Sequence, residues 1–199
     1  MVSLKDFESE ALAIAGVVVV SAAWQLVDNI PMVAITVLME TGRDSEISAV
    51  RETLNAYNIE RGAARHAIDV IPGSRKYVAA TVEYALKPTY RADLVEPDIR
   101  QALGVNSGKA IRDEDQTGLF SVMRRRLGAS EYASSIGGTV QNVDGVSWAR
   151  VKVFTPLADP TAPVPATTSP SAVVDCDLDE ILSLYDWHLT LNAIAEGGS

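Results

Sequence analysis

The sequence predicts an α+β fold: small ferredoxin-like α/β layers in series on an elongated chain, followed by a Pro-rich linker and a C-terminal strand arm. Three observations carry this expectation. Segments of helical and strand period alternate from Leu4 to Phe154. A period-free stretch rich in Pro, Ala and Thr, "TPLADPTAPVPATTSP", breaks the alternation at Thr155 to Pro170. The chain has 199 residues and is 47% hydrophobic, enough to bury a core as one elongated domain or two small ones. The expected boundaries are a first α+β subdomain over 1–62, a second over 63–154, the linker over 155–170 and the strand arm over 171–199.

In chain order, Leu4, Phe7, Ala11 and Ile14 share one face of a first helix, and Gly16 ends it. The following "ALAIAGVVVV" with Ser21-Ala22-Ala23 imitates an export signal. Asp6, Glu8 and Glu10 outweigh Lys5 ahead of it, and the apolar run is far short of the ~20 residues a membrane helix needs. The reading favoured is therefore a helix end, a Gly turn and a buried strand over Val17 to Leu26. Asp28-Asn29 makes a turn into a second strand, Met32 to Met39. Asp44 or Ser45 caps a helix with Ile47, Val50, Leu54 and Tyr57 on one stripe.

The second block repeats the logic. "RHAIDVIPG" is a short strand stopped at Pro72-Gly73. Val78, Ala80, Val82, Tyr84 and Leu86 then alternate with Ala79, Thr81, Glu83 and Lys87, as in a sheet with one covered face. A helix is expected to begin between Asp93 and Pro97, because Pro suits a first turn, with Val95, Ile99, Ala102 and Leu103 inward. Strand, loop and helix over Val33 to Asn58 thus recur over Val78 to Leu103 as a weak structural duplication.

Thr117 caps a short helix through Phe120, Met123 and Leu127, ended by Gly128. Ser130 caps another, with Tyr132, Ile136, Val140 and Val143 as its stripe and Asp144-Gly145 as its close. In the strand Val146 to Phe154, Ala149, Val151 and Val153 oppose Val146, Trp148 and Phe154, which share their face with Arg150 and Lys152. Apolar residues on both faces call for two neighbours or a bulge. Beyond the linker, short strands are expected around Ile181 to Leu184 and Trp187 to Leu191, free to pair with their own sheet or a neighbouring chain.

Signals of chemistry are sparse. The net charge of -9 argues against a general nucleic-acid binder. One cysteine excludes an internal disulfide, and two histidines without a Cys pair argue against structural zinc. Nucleotide-binding, metalloprotease, nucleophile-elbow and CxxC motifs are absent. His66, on the strand face of Ile68 and Val70, and His188, beside Trp187, read as packed or hydrogen-bonded rather than catalytic. Cys176 sits between Asp175 and Asp177, whose carboxylates raise a thiol's pKa. The acidic run Asp113, Glu114 and Asp115 lacks the EF-hand spacing and reads as a solvated loop. Arg124, Arg125 and Arg126 fall on successive faces of a short helix and read as salt-bridge or subunit-contact residues.

Five stretches carry a resemblance: "SLKDFESEALAIAGVVVVSAAW", "RHAIDVIPGSRKYVAATVEYALKP", "DIRQALG", "GLFSVMRRRLGASEYASSIGGTVQNVDGVSWARVKVF" and "CDLDEILSL". Together they resemble the baseplate J-like family, wedge proteins of contractile phage tails and related injection machines, most closely between Arg65 and Phe154. The resemblance implies a structural, non-enzymatic role, without catalytic residues, cofactor or metal, in joining wedge subunits around the hub and coupling baseplate rearrangement to sheath contraction. It implies other wedge and hub subunits as partners and a place in the virion tail baseplate after assembly in the host cytoplasm; together with the arm, the terminal strand and the apolar helix faces it points to homo- or hetero-oligomers formed by strand exchange and those faces, with no membrane partner and with nucleic acid disfavoured by the acidic charge. The family's members are longer, and "SLKDFESEAL" matches a point inside them. The chain is therefore expected to be a C-terminal portion, a short member or a trimmed piece with Met1 added. The linker and arm are expected to serve assembly more than folding. A ferredoxin-like enzyme or ligand-binding module using His66, Asp113 and Asp115 is the alternative, and a basic-helix nucleic-acid binder using Arg124 to Arg126 is a third reading.

Overall fold

The computed structural model of the chain describes residues 3–61, 66–105, 117–165 and 170–194. Helix α1 (Leu4–Leu12) starts at a reciprocal cap: the Ser3 hydroxyl accepts from the Asp6 N–H, and the Asp6 carboxylate accepts from the Ser3 N–H. Strands β1 (Val17–Val27) and β2 (Ile30–Met39) form an antiparallel hairpin about Asp28-Asn29. Both turn residues have positive φ, 51° and 64°, as a two-residue turn matching strand twist requires.

Asp44 and Ser45 do not cap the next helix by their side chains. They lie in a 3-10 turn, Asp44–Glu46, that runs directly into α2 (Ile47–Arg61). Arg43 holds this turn by pairing with Glu46 at 2.6 Å and Glu40 at 3.3 Å. Strand β3 (Ala67–Pro72) returns parallel to β2, so β2, α2 and β3 are a crossover unit in a sheet of order β1-β2-β3. Phe7 and Ala11 of α1 and Val50 and Leu54 of α2 pack on Val33, Ile35, Val37, Met39 and Val70. These elements make the first of two compact units, Met1–Ser74, and the second is Arg75–Ser199.

The second unit is built on a sheet of order β6-β4-β8, comprising β4 (Ser74–Leu86), β6 (Val146–Pro156) and β8 (Glu180–Ile194). Helices α3 (Ala92–Leu103) and α4 (Ala133–Gln141) cover one face, where Val95, Ile99, Leu103, Ile136 and Val140 meet Val78, Ala80, Val82 and Tyr84. The opposite face is covered in part as well: Ala79 and Ala85 are fully buried, which the alternation alone did not anticipate. Two-residue strands β5 (Glu131–Tyr132) and β7 (Val173–Val174) pair antiparallel beside this sheet. The α+β class therefore holds in both units.

Several local expectations are corrected. Helix α3 begins at Ala92, which places Pro97 inside it rather than in its first turn. Thr117 to Leu127 is not a helix but a run of turns. The reason lies in α3's end: Gly104 adopts φ 65°, and Leu119 N–H and Phe120 N–H bond the carbonyls of Ala102 and Leu103. Gly118 then lies so close that a Cβ there would sit 2.0 Å from the Gly104 nitrogen, which only glycine permits. Ser130 gives its hydroxyl to Asp175 instead of capping α4, whose N-cap is Tyr132. The expected pair of C-terminal strands is the one continuous strand β8. The proposed duplication does not extend to topology, because β2 continues through α2 to a parallel strand whereas β4's partner β6 is antiparallel.

Strand β6 resolves its own irregular pattern. Its register against β4 slips between Thr81 and Val82 and between Ala85 and Leu86, leaving Lys152 and Ser147 as extra residues. Each bulge reverses the alternation. Val146, Ala149, Val151 and Phe154 therefore join the same core despite mixed parity.

The C-terminal strand is a core element of its unit. Ile181, Leu182, Leu184, Tyr185, His188 and Leu189 are all buried. Part of the Pro-rich segment also folds back: Leu157 N–H bonds Tyr77 O at 2.8 Å, Trp187 Nε1 donates to Pro160 O at 3.0 Å, and Ser171 N–H bonds Phe154 O. Truncation before Glu180 is expected to abolish the cooperative unfolding of the second unit while leaving a folded first unit. The check is near-ultraviolet circular dichroism with urea melting, where an intact second transition would contradict this assignment.

Candidate interaction surface

The acidic run Asp113 to Asp115 lies outside the described residues, and among those described no cluster of His, Cys, Asp and Glu could hold a metal ion. His66 is exposed just ahead of β3, with its ring edge-on to Trp24 at 4.8 Å between centroids. Cys176 is half-buried, and burial is the foremost cause that pushes its thiol pKa up; Glu180 and Asp177 add to this while Arg125 and Lys76 oppose it. The thiol pKa is thus raised, as its flanking carboxylates suggest, but Asp177 is the smallest of the causes.

His188 is 1% exposed and packs edge-on to Tyr185 and Trp187. Neither ring nitrogen has a hydrogen bond of normal geometry. Burial pulls its pKa below the ordinary histidine value, with the Ala162 backbone and the Asp159 carboxylate pulling partly back. Tyr185 continues into a stack, with Tyr77 at 5.5 Å on one side and Trp187 at 4.5 Å on the other. This ladder and the Trp187 bond to Pro160 O pack the folded-back segment against β8.

The arginine run divides into different roles. Arg124 donates to Thr117 O and is otherwise exposed, as is Arg126. Arg125 is buried with Glu131: Nη1 meets Oε2 at 2.6 Å, Nη2 donates to Ala129 O at 2.5 Å, and the guanidinium lies 5.5 Å from the Phe120 ring centroid. Glu131 Oε1 accepts the Tyr132 N–H at 3.0 Å. One buried guanidinium therefore gathers the turns from Leu119 to Ser130 onto β5. Of the expected salt bridges this is the buried one, and its work is internal.

What the first unit does present outward is apolar. Strand β1 was expected to be buried, yet its inner residues are only half-buried and Ala23–Val27 are exposed. Trp24 is 55% exposed and Leu26 is 72% exposed, with Val27 and Ile30 across the turn also exposed. Trp24 and Leu26 lie on the parity of Val20 and Ala22, which pack against the core, so the core face of the sheet runs out past its helical cover. Large apolar side chains left exposed together at one end of a hairpin are the kind of surface that contact sites use. The sequence signal was present in "VVVVSAAWQLV", an uncharged strand, but nothing in it distinguished a buried strand from an exposed one.

Two outcomes test these assignments. Arg125→Met leaves a buried carboxylate unpaired and is expected to cost about 3–5 kcal/mol in urea unfolding, with part of the loss recovered when Glu131→Leu is added. For His188, the unfolded chain binds a proton more readily than the folded one, so stability is lost as pH falls through the ordinary histidine pKa of ~6.5. The second unit should melt at a lower temperature at about pH 5.5 than at about pH 7.5, and His188→Leu should flatten that dependence.

Compared with known proteins, residues 1–71 match the family model described as the baseplate J-like central domain. The match covers Ser3 to Trp24 and reaches the start of the Arg65 to Pro88 stretch. Of the region Arg65 to Phe154, where the resemblance is closest, everything after residue 71 lies beyond it. No curated protein sequence matches the chain.

Proposed function

From the match of residues 1–71 to the baseplate J-like central domain, we propose that the protein is a wedge component of a contractile phage tail baseplate or related injection machine. A structural role in a phage baseplate is what the match supports, and that single observation carries the reading. In this role the chain joins other wedge and hub subunits and helps pass baseplate rearrangement to the sheath, within the virion tail baseplate, after assembly in the host cytoplasm.

Two physical features favour contact over catalysis. The titratable groups with shifted pKa values are explained by packing and ion pairing within the units, as at Glu83 with Arg150 and Lys76 with Glu180. The first unit leaves an apolar hairpin end uncovered. Contact through such exposed surfaces is favoured over exchange of β8, because withdrawing that strand would expose the side chains it buries.

The role is tested on tails. Affinity-tagged protein co-expressed with the neighbouring tail genes is expected to co-purify with baseplates and to appear as density in their reconstruction. Assembled, contraction-competent baseplates that lack the chain would overturn the proposal.

A further inference from the structure

The backbone of β1 shows which of its hydrogen-bonding groups are unused. Ala22 N–H donates to Glu8 Oε1 at 3.0 Å, so it points away from β2. Backbone groups alternate along a strand, so the N–H and C=O groups of Trp24 and Leu26 point the same way. The hairpin agrees: Asp28-Asn29 makes a two-residue turn, Val27 opposite Ile30 closes it, and odd positions of β1 face β2. With sheet order β1-β2-β3, β1 is an edge. Among the described residues no partner meets the outward groups of Trp24 or Leu26.

Edge strands are normally blunted by a charge, a proline or a cover. From Val17 to Val27 there is neither charge nor proline. Glu8 plugs the edge at Ala22, and among the described residues nothing plugs it further out. The open length is bounded by carboxylates at both ends, Glu8 at one and Asp28 in the turn at the other.

We infer that the outer half of β1, Ala23–Val27, receives an added β-strand from another baseplate subunit, a strand apolar at its centre and carrying Lys or Arg at its ends. This rests on the assembly role proposed above and names the partner's chemistry. Backbone bonds to Trp24 and Leu26 supply register, and their side chains supply apolar contact. Charge decides between candidate occupants. A second copy pairing antiparallel through β1 would set Asp28 of each chain against the Glu8 end of the other, like charge on like charge. A basic-ended strand meets an opposite charge at each end.

The test uses the full chain and two synthetic peptides, Lys-Val-Thr-Val-Thr-Val-Lys and Glu-Val-Thr-Val-Thr-Val-Glu, followed by amide chemical shifts. The Lys-ended peptide is expected to shift the Trp24 and Leu26 amides and to bind about 10-fold more tightly than the Glu-ended one, with the gap closing as salt is raised. Leu26→Pro removes an outward N–H that the hairpin does not use and should abolish the shifts while the melting curve stays in place. Glu8→Gln with Asp28→Asn keeps the plug and the turn, and should erase the Lys-over-Glu preference even if the proline variant fails to fold. Equal binding of the two peptides, shifts centred elsewhere, no binding, or concentration-dependent dimers that perturb β1 would each overturn the inference. These readouts do not depend on tails, so a chain found in baseplates whose β1 ignores both peptides would sink this inference alone.

Discussion

A nine-residue helix such as α1 spans about 14 Å, whereas an eleven-residue strand such as β1 spans about 36 Å. That difference in reach governs the first unit. The helix that follows the Ser3 cap can shield only the inner part of the hairpin, so Val20 and Ala22 are packed while Trp24 and Leu26, on the same face, meet solvent. A longer α1 would have hidden the whole face. Instead, the turn at Asp28-Asn29, which fixes where the hairpin ends, also fixes how much apolar surface the unit displays.

In the second unit the equivalent constraint is a central strand that needs cover on both sides. Strand β4 receives α3 and α4 on the face of Val78, Ala80, Val82 and Tyr84. Its other face carries Tyr77, which starts the aromatic stack through Tyr185 to Trp187. Arg125 belongs to the same economy of structure. Without regular structure between Gly118 and Ser130, a buried guanidinium collects the loose carbonyls of that stretch, and Glu131 neutralises it. Its guanidinium fork explains why an arginine rather than a lysine serves there.

Much of this was legible from residues alone, and the rest was hidden for identifiable reasons. The hairpin, its Asp28-Asn29 turn, the stripe of Val50 and Leu54 and the helix stripe of Val95, Ile99 and Leu103 follow from local period and turn chemistry. Pro97 misled because helix start rules describe preference, while packing of Val95 and Ile99 fixes the helix around it. The false helix at Thr117 to Leu127 had a plausible stripe. What overruled it is a long-range fact, the contact of Gly118 with Gly104. The bulges at Ser147 and Lys152 are pairing properties that no single strand announces, although the mixed apolar pattern of β6 hinted at one. Exposure of Trp24 and burial of Arg125 were illegible for a shared reason: both depend on what a neighbouring element fails or manages to cover.

The place of β8 in its sheet bears on the order in which the protein takes shape during synthesis. The first unit closes on itself through contacts among its own 74 residues. The second unit cannot close until its latest strand arrives, since Lys76 waits for Glu180, 104 positions later. Such distant pairing is slow, because a long loop must be brought together before the contacts that reward it exist. A ribosome therefore presents a finished first unit while β4 still lacks a neighbour. The sheet of the second unit is therefore complete only after β8, which ends at Ile194, has been made, so the two units finish folding at separate moments of synthesis.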